Sequence, residues 1–107
     1  MGKRWRPYWA NGWAKDKILT GELLKALKGT ENKDYIYTIS VQGHGDYPEY
    51  EVLENPAITV GGIEDEGIRY SYEYYTNEIH EMDNFIGELI EALSNYEEDV
   101  VLVMYGD

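Results

Sequence analysis

The feature that most constrains this chain is an apolar stripe. Ile68, Tyr72, Tyr75, Ile79, Met82, Ile86, Leu89 and Leu93 follow one another four and three residues apart. That spacing holds a single face on a helix over residues 68–94, and at 1.5 Å per residue the helix is about 40 Å long. A coiled coil is the competing reading. Two Tyr at seam positions, Phe85 and Ile90 widening the stripe, and Gly87 inside the helix count against it. A wide stripe fits packing on a sheet, and the flanking segments supply strand composition. Residues 35–41 are mostly ring-bearing and β-branched, and residues 100–104 form an apolar run. A strand, a long helix and a second strand make a βαβ crossover with a parallel sheet and a right-handed connection. Two strands do not make a stable parallel sheet alone. The α/β reading therefore expects further strands, and these 107 residues read as part of a single larger domain.

The rest of the chain completes an order of helix, strand, loop, long helix, strand over residues 16–107. Leu19, Leu23 and Leu27, with Leu24 beside them, predict a helix over 17–28. Asp16 suits its start, Lys25 and Lys28 its last turn, and Gly29 its end. Residues 1–15 are an irregular lead interrupted by Pro7, Asn11 and Gly12. Its Trp5, Trp9 and Trp13 fit either a sugar- or lipid-facing stripe or cover for a neighbouring surface. Residues 49–66 form an acidic loop. Eleven Tyr against one Phe suit half-buried positions, with the ring packed and the hydroxyl wet.

A net charge of -12 opposes binding to nucleic acid, whose phosphates it would repel. It does not oppose small anions, because one metal ion reverses the local field. With no Cys there is no disulfide, thiolate zinc site or thiol nucleophile. No apolar run approaches the roughly 20 residues that span a bilayer.

Ligands of open α/β sheets bind beyond the carboxyl ends of the strands. His44 follows the first strand, between Gly43 and Gly45, and Asp107 ends the second. A parallel pair brings both to one edge. Asp offers a hard oxygen to a divalent metal, and His can bind a metal or donate to a phosphoryl oxygen. The alternatives are a turn acid after a strand and a hydrogen-bonded loop histidine. His80 with Asp83 or Asn84 has metal-compatible helical spacing but is not a His-Glu-x-x-His motif, and it reads as a surface residue. The acid runs at 46–54, 64–66 and 97–99 lack the spacing of a calcium loop. No phosphate-cradling loop or serine elbow is present.

Taken together, three segments carry a resemblance. They are Gly12-Trp13-Ala14-Lys15-Asp16-Lys17-Ile18, the run Thr38-Ile39-Ser40-Val41-Gln42-Gly43-His44-Gly45-Asp46-Tyr47-Pro48, and Val101-Leu102-Val103-Met104-Tyr105-Gly106-Asp107. Tyr74-Tyr75-Thr76-Asn77-Glu78 of the long helix joins them. The chain resembles the middle of the extracellular catalytic domain of lipoteichoic acid synthases and related phosphoglycerol transferases, in the sulfatase and alkaline phosphatase superfamily.

The resemblance implies a partial sulfatase-like fold and a membrane-anchored parent with its catalytic domain outside the cell. It implies a threonine nucleophile, activated by a divalent metal, that attacks the phosphodiester of a phosphatidylglycerol-like lipid. A polyol-phosphate or glycolipid hydroxyl then accepts the group. Mn²⁺ is the first choice of metal, with Mg²⁺, Zn²⁺ or Ca²⁺ as alternatives. Asp107 matches the aspartate of the family's Asp-His metal pair, and His44 matches the histidine that contacts the substrate. The nucleophile and a further metal ligand match nothing in these residues, so no catalytic residue is assigned. The 107 residues alone are expected to show no turnover and weak Mn²⁺ binding, and to need the remainder of the catalytic domain as partner. Asp46 departs from the uncharged residue or Pro of many relatives. Sulfate-ester and phosphoethanolamine chemistry remain alternatives. So does a non-catalytic binding module built on the Trp-rich start and the acidic loops.

Overall fold

The computed structural model describes residues 14–106. Two helices organise them: α1, Lys17–Lys28, and α2, Glu66–Ser94. The expected bounds of α1 hold to the residue, and α2 begins two residues before Ile68. Asp65 explains that earlier start. Its backbone is extended and its side chain accepts the Ile68 N–H at 3.0 Å, one of the four donors a helix start leaves unpaired. Glu66 adds an acid to the first turn, where the helix dipole favours it.

At α1 the cap differs from expectation. Asp16 occupies the N-cap position but makes no side-chain cap bond. Its carboxylate instead turns toward residue 42. Gly29 ends the helix in a right-handed conformation, its N–H donating to the Ala26 carbonyl.

Burial on α2 departs from the apolar stripe. The buried residues are Glu73, Tyr74, Asn77, Glu78, Phe85 and Leu89. At 100° per residue, this face is centred roughly a third of a turn from the stripe. On the stripe, Tyr72 is 57% exposed, and Ile68, Tyr75, Ile79 and Ile90 are also exposed. The polar face is covered because residues 41–60 lie along it and α1 packs beside it. Its side chains bond the backbone of those loops. Asn77 exchanges two bonds with Ile58, and Glu73 Oε2 accepts from the Val60 N–H at 3.1 Å and from Arg69 Nη1 at 3.2 Å. A loop without its own ladder needs partners for its backbone groups, and this face supplies them. Tyr96 closes the far end of the helix pair, donating from its hydroxyl to the Leu27 carbonyl.

The segments with strand composition carry no ladder among the described residues. They touch at one point, where the Tyr105 hydroxyl donates to that of Tyr37 at 2.9 Å. Both are open to solvent: Tyr35 is 93% and Val101 90% exposed. Pairing defines a strand, and an extended segment without neighbours on both sides has little to hold it in register. The chain exposes 8500 Å², whereas a compact domain of 12.4 kDa exposes roughly 6,100 Å² by the usual mass scaling. Buried apolar side chains among the described residues are limited to Tyr74, Phe85 and Leu89.

Candidate functional site

His44 stands on a turn that α2 holds from both sides. The His44 N–H donates to the Val41 carbonyl at 3.0 Å, which closes the turn around Gln42 and Gly43. The imidazole-bearing residue is exposed. Gly43 lets the turn approach α2 closely. A Cβ there would meet Met82 Cε at 2.9 Å, inside normal contact. After the histidine, Asp46 adopts a φ of 89°, a region costly for a residue with a side chain.

Downstream, Tyr47 fastens the turn. Its hydroxyl donates to the Gly43 carbonyl at 3.2 Å, and its own carbonyl accepts from Ser71 Oγ at 3.2 Å. Its ring meets that of Tyr75 edge to face, with centroids 5.2 Å apart, a favoured aromatic geometry. Upstream, Gln42 fastens it. Gln42 Oε1 accepts the Asp16 N–H at 2.8 Å, and the Gln42 N–H donates to Asp16 Oδ1 at 3.4 Å. Gln42 Nε2 donates to Glu81 Oε2, and Glu81 Oε1 meets Lys15 Nζ at 3.3 Å. The turn is therefore tied to the start of α1 and to the middle of α2 through one side chain. An open cleft of about 500 Å³ lies beside it, lined in part by Lys15, Gln42, Glu81 and Phe85.

Between these two anchors lies Glu78, 1% exposed. Burial pushes its carboxyl up to about 7. The Tyr74 hydroxyl opposes the rise, and the charges of Glu81 and Asp16 add to it. Asp16, also buried, is raised for the same leading reason, against lowering bonds from the Gln42 and Val41 backbone. Burial raises the Tyr47 hydroxyl, and the charge of Glu78 raises it further. A neutral Glu78 suits this crowd of acids, because desolvation penalises the charged form.

Asp107, Trp5, Trp9, Trp13 and Arg6 lie outside the described residues. His44 is thus the sequence-predicted site residue that the described structure places. His80 is half-buried on α2. No group of three or more His, Cys, Asp or Glu side chains among the described residues is arranged to hold a metal ion. No helix among them is long and apolar enough to cross a membrane. Gln42 and Glu81, which hold the turn, and Glu78 buried beside them escaped sequence reasoning, and Asp16 was read only as a helix start. The available signal was the polar series Glu73, Asn77, Glu78, Glu81, which repeats at helical spacing on a face apart from the apolar stripe.

Comparison with known proteins agrees with the resemblance at the level of superfamily. The chain is 26% identical over 94 residues to a Rhizobium meliloti (strain 1021) protein titled "Putative cyclic beta-1,2-glucan modification protein". The match covers 88% of this chain and 15% of that protein. No solved structure matches the chain. The family model described as Sulfatase matches residues 2–107, nearly the whole length, and the chain therefore belongs to the sulfatase family.

Proposed function

We propose that this chain is part of the catalytic domain of a sulfatase-type phosphoglycerol transferase, and that His44 contacts the group being transferred. The observation that carries the reading is the family match over residues 2–107, joined to an exposed histidine held on a tethered turn. In the reaction proposed, a hydroxyl nucleophile elsewhere in the domain attacks the phosphorus of a lipid phosphodiester. The bond to diacylglycerol breaks, and diacylglycerol leaves with the proton. A second hydroxyl then displaces the enzyme oxygen. The relative's title names glucan modification, which supports a saccharide hydroxyl as acceptor.

His44 fits the substrate side of this chemistry. Exposed at the turn, it can donate to a phosphoryl oxygen and help offset its charge. Divalent metals are common in this superfamily, and Mn²⁺ is the first choice here. The described residues do not complete a metal site, so no step is assigned to the metal. The α/β fold belongs to the same proposal. The exposed residues of the α2 stripe and the mostly exposed segments at 35–41 and 100–106, joined through Tyr37 and Tyr105, suit a place inside a larger parallel sheet.

The test is transfer by the intact protein across phosphatidylglycerol, phosphatidylethanolamine and aryl sulfate donors, with a glucan as acceptor. Phosphoglycerol transfer that His44→Ala reduces by roughly 100-fold supports the reading. Turnover of aryl sulfate alone, or no dependence on His44, overturns it.

A further inference from the structure

We propose that Gln42 is a positioning residue that sets the His44 turn by bridging α1 and α2. The proposal rests on the reading that His44 meets substrate. Gln42 is 2% exposed and two residues upstream of His44. Its amide uses both ends. The oxygen takes the Asp16 N–H and the nitrogen gives to Glu81. Its backbone N–H returns a bond to Asp16 Oδ1.

Only an amide satisfies this arrangement. A carboxylate at position 42 would turn an acceptor toward Glu81 Oε2 and bring a charge beside buried Asp16. A Leu would leave the buried Asp16 N–H without its partner, which is costly, and would take the Gln42 donor from half-buried Glu81. The acceptor is the carboxylate of the ion pair with Lys15, whose Nζ lies 3.3 Å from the other oxygen. Charge-assisted bonds of this kind are the strong ones. Their geometry passes to His44 over a short path, because the His44 N–H is itself bonded to the Val41 carbonyl just before Gln42.

The experiment is a double-mutant cycle on the intact protein, read by phosphoglycerol transfer and by the NMR signals of the His44 imidazole. Those signals are assigned by their loss in His44→Ala. Gln42→Leu and Gln42→Glu should each lower kcat/KM by roughly 10- to 100-fold, the usual cost of misplacing a reacting group. On the His44→Ala background, Gln42→Leu should add no further loss, since its action runs through that residue. It should also shift or broaden the His44 imidazole signals. Should Gln42→Leu fail to fold, Glu81→Met removes the same bond from a half-buried partner and should move the same signals. Unchanged His44 signals in both variants overturn the proposal, as does a Gln42→Leu loss that persists undiminished on His44→Ala. If His44→Ala leaves transfer unchanged while Gln42→Leu still shifts the imidazole, the substrate role of His44 falls and the positioning role of Gln42 stands.

Discussion

Asn77 and Ile58 pair like two residues of a sheet, although one of them uses a side chain. Asn77 Oδ1 accepts from the Ile58 N–H at 3.1 Å, and Asn77 Nδ2 donates to the Ile58 carbonyl at 2.8 Å. The second proton of the amide reaches the Glu73 carbonyl at 2.7 Å. Asn77 is buried, so water cannot replace these bonds. Asn77→Ala should cost ~2 kcal/mol, the range for stranding buried backbone groups. Asn77→Asp should cost a similar amount, because it keeps the acceptor and loses both donors. Urea unfolding of the protein checks both. A loss below about 0.5 kcal/mol in each would show that this pairing does not hold the loop.

Such a pairing also shows what was legible in the sequence. The helix bounds could be read, since Leu19, Leu23 and Leu27 repeat at helical spacing and Asp16 and Gly29 flank them. His44 between two glycines was visible for the same local reason. The buried face of α2 was not. Hydrophobic periodicity finds the face that meets apolar partners, and here the first half of that face, from Ile68 to Ile79, is exposed, with Leu89 buried further along. The covered face meets loop backbone, which selects for Glu73 and Asn77. Those residues look like ordinary surface positions until the loop is placed. Gln42 was hidden in the same way, because its partners Asp16 and Glu81 are 26 and 39 residues distant.

Gly43 allows the histidine turn to approach α2 closely, and its replacement should be felt at Met82. A Cβ at residue 43 lies 2.9 Å from Met82 Cε, the mobile end of a flexible side chain. Gly43→Ala should therefore cost only ~1 kcal/mol, while Gly43→Val, stiff and larger, should cost ~2–3 kcal/mol. Met82→Ala combined with Gly43→Ala should recover part of the steric loss, seen as coupling of the two changes. Strict additivity in unfolding measurements would exclude this contact as the cause.

Asp65 caps the start of the long helix. Its Oδ1 accepts the Ile68 N–H, and its own carbonyl accepts the Arg69 N–H at 3.0 Å. Asp65→Ala should lower stability by ~1 kcal/mol, whereas Asp65→Ser or Asp65→Asn should lose less than about half of that. Hydrogen exchange should show faster opening at residues 66–69 in the alanine variant and little change near Leu89. Uniform acceleration along α2 would mean that the cap does not act locally.

Glu78 makes the stability of this region depend on pH in an unusual direction. Its carboxyl lies at about 7 in the fold against an ordinary value of 4.5. The folded state therefore holds the proton more tightly than the unfolded state. The sign follows: stability is fully present below the unfolded value, falls as pH rises through the folded value, and levels above it. The shift corresponds to at most ~3 kcal/mol across that window. Asp16, raised in the same direction, contributes at the acid end. The groups around Glu78 agree with this sign. Glu81 and Asp16 repel its charge, the Tyr74 hydroxyl offsets part of the rise, and the raised Tyr47 hydroxyl feels the same charge from the turn. The protein should accordingly be less stable at about pH 8 than at about pH 5, and Glu78→Gln should remove most of that difference. The gain from Glu78→Gln should appear at the higher pH, where the wild-type residue must be charged or bind a proton against the gradient. Thermal unfolding across the window decides it, and a stability that rises through neutral pH, or a slope that Glu78→Gln leaves intact, would refute the assignment.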